Sequence, residues 1–403
     1  MLNEAERRLL ASIEEKELIE LLARLVRANS ENPPGNERTA AEIVAAELEA
    51  AGIPVERQPV EEHRFNVIAE LKGERTEKLL FNGHMDTVPA GDLRLWHEDP
   101  WGAVIRDGNM YGLGTSDMKA GVAAMIAAVK ALHRSGAKLR RGLMFTAVID
   151  EEVNFKGTAA LLSDGKLAGC EMACISEPTS LRIGNRLKGA LEFSVRTYGR
   201  SAHTGIAFAG DNAIYKMGRY LEALRAYNES LKARMDVPDL RYPTVNVGKL
   251  TGGVGVTLVP DRCELEFDRQ VLPGEQMDEA EREVRELTET FSRDTGVQVE
   301  LTLRQRFNNW TVGEDEPVVR ELSAAVRDLR GGREPLFGGF NGYAEVEMLA
   351  SAGIPSVLFG PGSLDVAHAP NEFVPLAEVT EAAKVFALWA YRYVTAERGE
   401  DQP

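Results

Sequence analysis

The chain has 403 residues, 44% hydrophobic and 27% charged, an ordinary globular composition too long for one core and expected to form two domains. With 63 acidic against 47 basic side chains the formal charge is -16, which disfavours nucleic acid or an anionic membrane as partner, since both reward clustered Lys and Arg. Three cysteines make no even disulfide framework, the first residues carry no apolar signal core, and no run approaches the roughly 18 apolar residues of a membrane helix, so a cytoplasmic location is expected.

A helical pattern through about Arg27 rests on Leu18, Leu21, Leu22, Leu25 and Val26, and it breaks at Asn32-Pro33-Pro34-Gly35. A second helix over 37–51 stops at Gly52, with Pro54 beyond it. Short apolar runs follow at 66–71, 78–81, 143–149, 172–175 and 356–359, several of them separated by helical stretches such as the alanine-rich 119–132. This alternation predicts an α/β domain with a mostly parallel central sheet. Between 188 and 303 the pattern changes: strand 191–198, helix 211–227, strands 244–250 and 262–271, helix 277–292, strand 297–303. That β-α-β-β-α-β order predicts a ferredoxin-like insert. The chain then divides into a catalytic domain, 1–187 and 304–403, and a lid, 188–303.

Five separated segments place candidate metal ligands past apolar runs or beside glycine turns. They are Gly83-His84-Met85-Asp86, Gly114-Thr115-Ser116-Asp117-Met118-Lys119, Asp150-Glu151-Glu152, Ser176-Glu177-Pro178-Thr179 and Ala367-His368-Ala369-Pro370. Three of them follow predicted strands, and in open parallel sheets sites form beyond the carboxyl ends of the strands, where such clusters converge. Asp117 opens the alanine-rich helix, as an N-cap or as a carboxylate that bridges metals. Two imidazoles and several carboxylates suit two metal ions with positions left open for water and substrate. Gly112-Leu113-Gly114 lacks the rest of a nucleotide-binding fingerprint, and His63, His97 and His133 fit no ligand position. Cys170 and Cys174 read as buried thiols, because the residues between them lead into an apolar strand.

From Asn32-Pro33-Pro34-Gly35 through Ala369-Pro370-Asn371-Glu372, these segments resemble the dinuclear zinc peptidase and deacylase family that includes aminoacylase, acetylornithine deacetylase and succinyl-diaminopimelate desuccinylase. The resemblance implies a zinc-peptidase-like catalytic domain and a lid that also mediates a homodimer. It maps metal ligands onto His84, Asp117 (bridging), Glu152, Glu177 and His368, the general acid/base onto Glu151, and an orienting carboxylate onto Asp86. In that scheme Asp86 accepts the second N–H of His84 and fixes its tautomer. Glu151 takes a proton from water during attack on an amide carbonyl and passes it to the leaving nitrogen.

The family's lid motif falls on Gly199-Arg200-Ser201-Ala202-His203-Thr204-Gly205, which implies His203 as a donor to the oxyanion, often in the partner subunit's site. By the same resemblance Asn246 is a second donor and Arg269 the guanidinium that meets a substrate carboxylate. Counting back from Gly353, the family's Thr-Asp-Ala-Arg falls on Ala344-Glu345-Val346-Glu347, so Glu347 stands where some members hold a substrate acid with arginine; Gly338-Gly339-Phe340-Asn341 offers a competing register. The pocket is therefore expected not to favour a second carboxylate. The expected function is that of a two-metal amidohydrolase acting on an N-acyl amino acid, with Zn²⁺ first and Co²⁺ or Mn²⁺ admissible. A dipeptidase or carboxypeptidase of the same family uses the same machinery and stays open. A non-catalytic metal-stabilised binding protein would lack the base or a ligand, whereas Glu151 and all five ligands are present.

Overall fold

Apolar runs too short for helices form the centre of the first unit. In the computed structural model, which describes residues 2–397, Lys78–His84 pairs in parallel with Gly142–Val148 on one side and with Cys170–Ile175 on the other. Ser356–Leu358 adds in parallel beside Cys170–Ile175, while Arg64–Leu71 and Val55–Glu61 extend the other side antiparallel. Every residue of Gly142–Val148 is buried, as expected of a strand covered on both faces. Helices Ala120–Arg134 and Leu376–Thr395 pack on each other and on the central strands. Phe81 meets Phe386 and Trp389 there, with ring centroids 5.3 and 5.9 Å apart. Lys130 ties this layer to two further helices through Glu17, at 3.2 Å, and Glu47.

The register decides what the sheet presents. His84 lies opposite Val148, and Asn82 opposite Ile175, so the residues that follow these three strands leave the sheet at one edge. The opening helical pattern resolves into two helices, Glu4–Ala11 and Glu15–Arg27, because Ser12 closes the first one, its hydroxyl donating to Leu9 O at 2.7 Å.

The second unit spans Arg186–Thr311 with Gly339–Tyr343; the first comprises Met1–Asn185, Val312–Gly338 and Ala344–Pro403. Gly189–Tyr198, Ala213–Leu231, Thr244–Gly252, Arg262–Val271, Met277–Thr295 and Val299–Phe307 follow in β-α-β-β-α-β order. The sheet is antiparallel, with Gly189–Tyr198 and Arg262–Val271 in its middle. Burial in Arg262–Val271 alternates strictly, and Cys263, Leu265, Phe267 and Val271 join Leu191, Phe193 and Val195 in the core with the two helices. The last strand runs past 303 to Phe307, and Trp310–Thr311 still pairs with Leu187 and Arg186, so the chain returns to the first unit at Val312. All three cysteines are unpaired, two of them buried. Among the described residues no helix is long and apolar enough to cross a membrane.

Candidate metal centre

Each adjacent parallel strand delivers candidate ligands where it ends. His84, the last residue of its strand, is buried, with Nδ1 3.0 Å from the main-chain oxygen of Asp86. A carbonyl only accepts, so in the neutral ring Nδ1 carries the proton and Nε2 keeps a lone pair for a metal. That Nε2 lies 3.1 Å from Asp117 Oδ1. The other oxygen of Asp117 lies 3.4 Å from His368 Nε2, which is itself 3.0 Å from Glu152 Oε2. Asp117 therefore stands between the two imidazoles and offers one oxygen to each. Ligand atoms of His84, Asp117 and Glu152 lie within 4.8 Å of one another, and so do those of Glu151, Glu177 and Glu345.

Close backbone packing makes this convergence possible. Gly114, at φ 76°, turns the chain into the Asp117 loop in the left-handed region that favours glycine. Gly121, at the start of the next helix, packs on Ser176 just before Glu177; a Cβ there would fall 2.3 Å from Ser176 O.

Asp86 works differently from expectation. Its carboxylate is 3.6 Å from His84 Nδ1, whereas its own main-chain oxygen makes the 3.0 Å contact. The carboxylate instead accepts Glu151 N on Oδ1 and Glu152 N on Oδ2, both at 3.1 Å, and Asn32 Nδ2 at 2.9 Å. The turn after the strand brings the peptide oxygen of Asp86 to the imidazole and frees the side chain to hold the backbone of the Glu151-Glu152 pair.

Charge in the centre is unbalanced. Burial pushes the carboxyls of Glu151 and Glu177 well above the usual range, with neighbouring carboxylates adding to the effect, and burial pushes Glu345 up to about 6. Glu177 Oε1 is buried with no hydrogen-bond partner. Asp117 goes the other way: burial is outweighed by its bonds to His368 and His84, which hold it well below the usual range. His368 is raised to about 10, chiefly by its bonds to Asp117 and Glu152. Buried carboxylates in this number cannot all ionise around two imidazoles without added cations. Imidazole nitrogens and carboxylate oxygens are a donor set suited to Zn²⁺, Co²⁺ or Mn²⁺, so the residues present fit a pair of divalent ions.

Two further expectations need correction. Glu347 sits in helix Val346–Ser351 and accepts from the Ser351 hydroxyl at 2.7 Å, outside both ligand clusters. Glu345 enters instead, its oxygens held by Thr158 Oγ1 at 2.9 Å and Asn82 Nδ2 at 3.1 Å. Arg269 has no exposed side-chain surface and pairs with Glu275 at 2.6 Å and the Tyr227 hydroxyl at 3.2 Å. It shares the inward parity of Phe267 and Val271, which gives its charge to the lid's interior rather than to a ligand. Asn246 is exposed beside a cleft lined by Glu192, Asp268, Arg304 and Tyr343. His203 is exposed, and its Nδ1 accepts Gly205 N at 3.0 Å, so the neutral ring carries its proton on Nε2.

Sequence reasoning gave no role to Glu345, Asn32 or Glu372, all buried beside the centre. A lone acid between Ala344 and Val346 was the available signal for the first; for Glu372 it was an acid soon after His368.

The signature of peptidase family M20/M25/M40 matches residues 80–392. An acetylornithine deacetylase from Proteus mirabilis is 31% identical over 363 residues, covering 89% of this chain and 90% of that protein. Among solved structures, the dipeptidase Dug1p from Saccharomyces cerevisiae superposes with a TM-score of 0.78 at 15% identity, over 98% of this chain and 99% of that one. A dinuclear metal binding peptidase of Bacillus subtilis does so with a TM-score of 0.71 at 18% identity, over 94% and 98%. At these identities the two structures speak for the fold.

Proposed function

This chain belongs to peptidase family M20/M25/M40, as a metal-dependent hydrolase of amide bonds, and on that premise we propose that it removes a small neutral acyl group from an N-acyl amino acid, using two Zn²⁺ ions. The observation that carries the two-ion reading is Asp117, with one oxygen toward His84 and the other toward His368. We assign one ion to His84, Asp117 and Glu177 and the other to Asp117, Glu152 and His368. When bound, the ions polarise the scissile carbonyl and make hydroxide available near neutral pH.

The protein's own groups do the rest. Glu151, buried and 3.9 Å from His84 Nε2, is the carboxylate we assign to move a proton, from water and then to the leaving nitrogen, whereas the oxygens of Glu345 are held by Thr158 and Asn82. Asp86 holds the Glu151 amide and so aims the base. His203, with its proton on Nε2, is in the form that donates to an oxyanion, and Asn246 is the second donor we assign. The 31% identical acetylornithine deacetylase supports the N-acetyl amino acid class.

We further infer a cytoplasmic homodimer formed through the lid. Ile214, Tyr215, Val256 and Leu258 are exposed and line one cleft of the second unit, Tyr215 to 75% and Val256 to 95%. An apolar patch of this kind beside the edge strand Thr244–Gly252 suits a second copy of the chain.

The test is hydrolysis of matched N-acetyl and N-succinyl amino acids and of dipeptides by Zn²⁺-loaded protein. Preference for N-acetyl substrates is expected. Preference for N-succinyl substrates would contradict the neutral acyl group, and preference for dipeptides would move the assignment to the peptidases of the family.

A further inference from the structure

Glu372 closes the segment that carries His368, is 1% exposed and takes no part in the chemistry above. Its carboxylate accepts three main-chain N–H groups from one loop. Gly114 N donates to Oε2 at 3.0 Å; Ser116 N, at 2.7 Å, and Asp117 N, at 3.0 Å, donate to Oε1. A fourth bond joins the main chains, from Gly112 N to Glu372 O at 3.0 Å. One of the four donors is thus the amide of the bridging residue itself. Near the start of the same segment, Ser116 Oγ accepts Ser363 N at 2.8 Å and donates to Ser363 O at 3.2 Å. His368 lies between these two staples.

Both carboxylate oxygens of Glu372 accept N–H donors, and it lies outside both clusters of candidate ligand atoms. What it can do is geometric. Asp117 serves two metal positions only if its oxygens face His84 and His368 at once, and the loop and the His368 segment come from distant parts of the chain. Charge-assisted bonds from one buried carboxylate to three amides lock these two pieces together. We propose that Glu372 is a positioning residue that holds the Asp117 loop against the His368 segment and so sets the spacing of the two metal positions. The proposal rests on the two-metal reading of the centre.

The experiment is titration of metal-free protein with Co²⁺, followed by calorimetry and by visible absorption, for wild type and Glu372→Gln. The glutamine keeps the size but turns an NH₂ group toward the loop donors. Wild type is expected to bind two Co²⁺. The variant is expected to bind at least one of them about 10–100-fold more weakly, with an altered absorption band, the range usual for loss of a group that orients a ligand. Its kcat is expected to fall while KM stays near the wild-type value, because no substrate contact is removed. Wild-type protein that takes up fewer than two ions would overturn this proposal together with the two-metal reading. Two ions in wild type, with unchanged affinities and spectrum in the variant, would overturn this proposal alone. If Glu372→Gln does not fold, Glu372→Asp is read in the same way: it keeps the charge at shorter reach, a several-fold loss is expected, and wild-type affinity would overturn the proposal.

Discussion

Two buried clusters of carboxylates meet at Asn32, whose Nδ2 lies 2.9 Å from both Asp86 Oδ2 and Asp150 Oδ1. On one side Arg64 donates to Glu37 through Nε at 2.9 Å, to Glu61 at 2.6 Å and to Asp150 at 3.2 Å, so the counter-charge is part of the chain. On the other side no ion pair joins Glu151, Glu177 or Glu345 to a Lys or Arg among the described residues, and His84 is a leading positive influence on each. The same sheet edge therefore buries acid in two ways. In the scaffold the fold supplies the cation, and in the centre it leaves the cations to be taken from solution. Burial and acidity do not distinguish the two clusters; the presence of a guanidinium does.

The comparison can be broken from either side. The largest effect is expected from Glu151→Gln, which should lower kcat by about 10²–10⁴ while metal content stays at the wild-type level, as read by steady-state kinetics and metal analysis. In the scaffold, Arg64→Met leaves Glu37 without its cation and Asp150 with only Lys156 at 3.9 Å, and should cost about 3–5 kcal/mol in denaturant unfolding, with metal stoichiometry retained. Metal itself should move stability by a comparable amount. Divalent ion at 100 times its Kd is expected to stabilise the chelated protein by about 2.7 kcal/mol per site, measured as a rise in Tm.

The smallest effect concerns pH. The carboxyl of Glu345 is raised by burial to about 6, so the folded state holds its proton to higher pH than the unfolded chain does. Its contribution to stability is full below about 4.5 and is lost as pH rises through about 6. Unfolding curves of chelated protein between these values should show that decline, to which the raised carboxyls of Glu151 and Glu177 add with the same sign, and Glu345→Gln should make it shallower. In the Arg64 cluster the guanidinium does not titrate in this window, but burial raises the carboxyl of Glu37 as well, so that cluster adds to the decline with the same sign.

How much of this was legible depended on which physical signal each residue left in the chain. His84, Glu151 and Glu177 follow apolar runs that end together in the register, so strand pattern alone brought them to one edge. The β-α-β-β-α-β order of the lid was equally plain, because each element is short and strongly periodic. Arg269 was misjudged although the signal was present: its spacing of two from Phe267 and from Val271 puts it on the inward face. Asp86 could not be resolved from sequence, since whether its peptide oxygen or its carboxylate meets His84 is a matter of one turn's geometry. Glu372 was invisible for another reason. Its partners are main-chain amides 255 to 258 residues away, and amides carry no residue type to read.

The central claim is that Asp117 joins two cation positions, one with His84 and Glu177 and the other with Glu152 and His368. Anomalous diffraction from crystals of the Zn²⁺-loaded protein measures this directly. Two peaks flanking the Asp117 carboxylate, one toward each histidine, are expected. A single peak, or a peak that leaves Asp117 or His368 uncoordinated, would contradict the account.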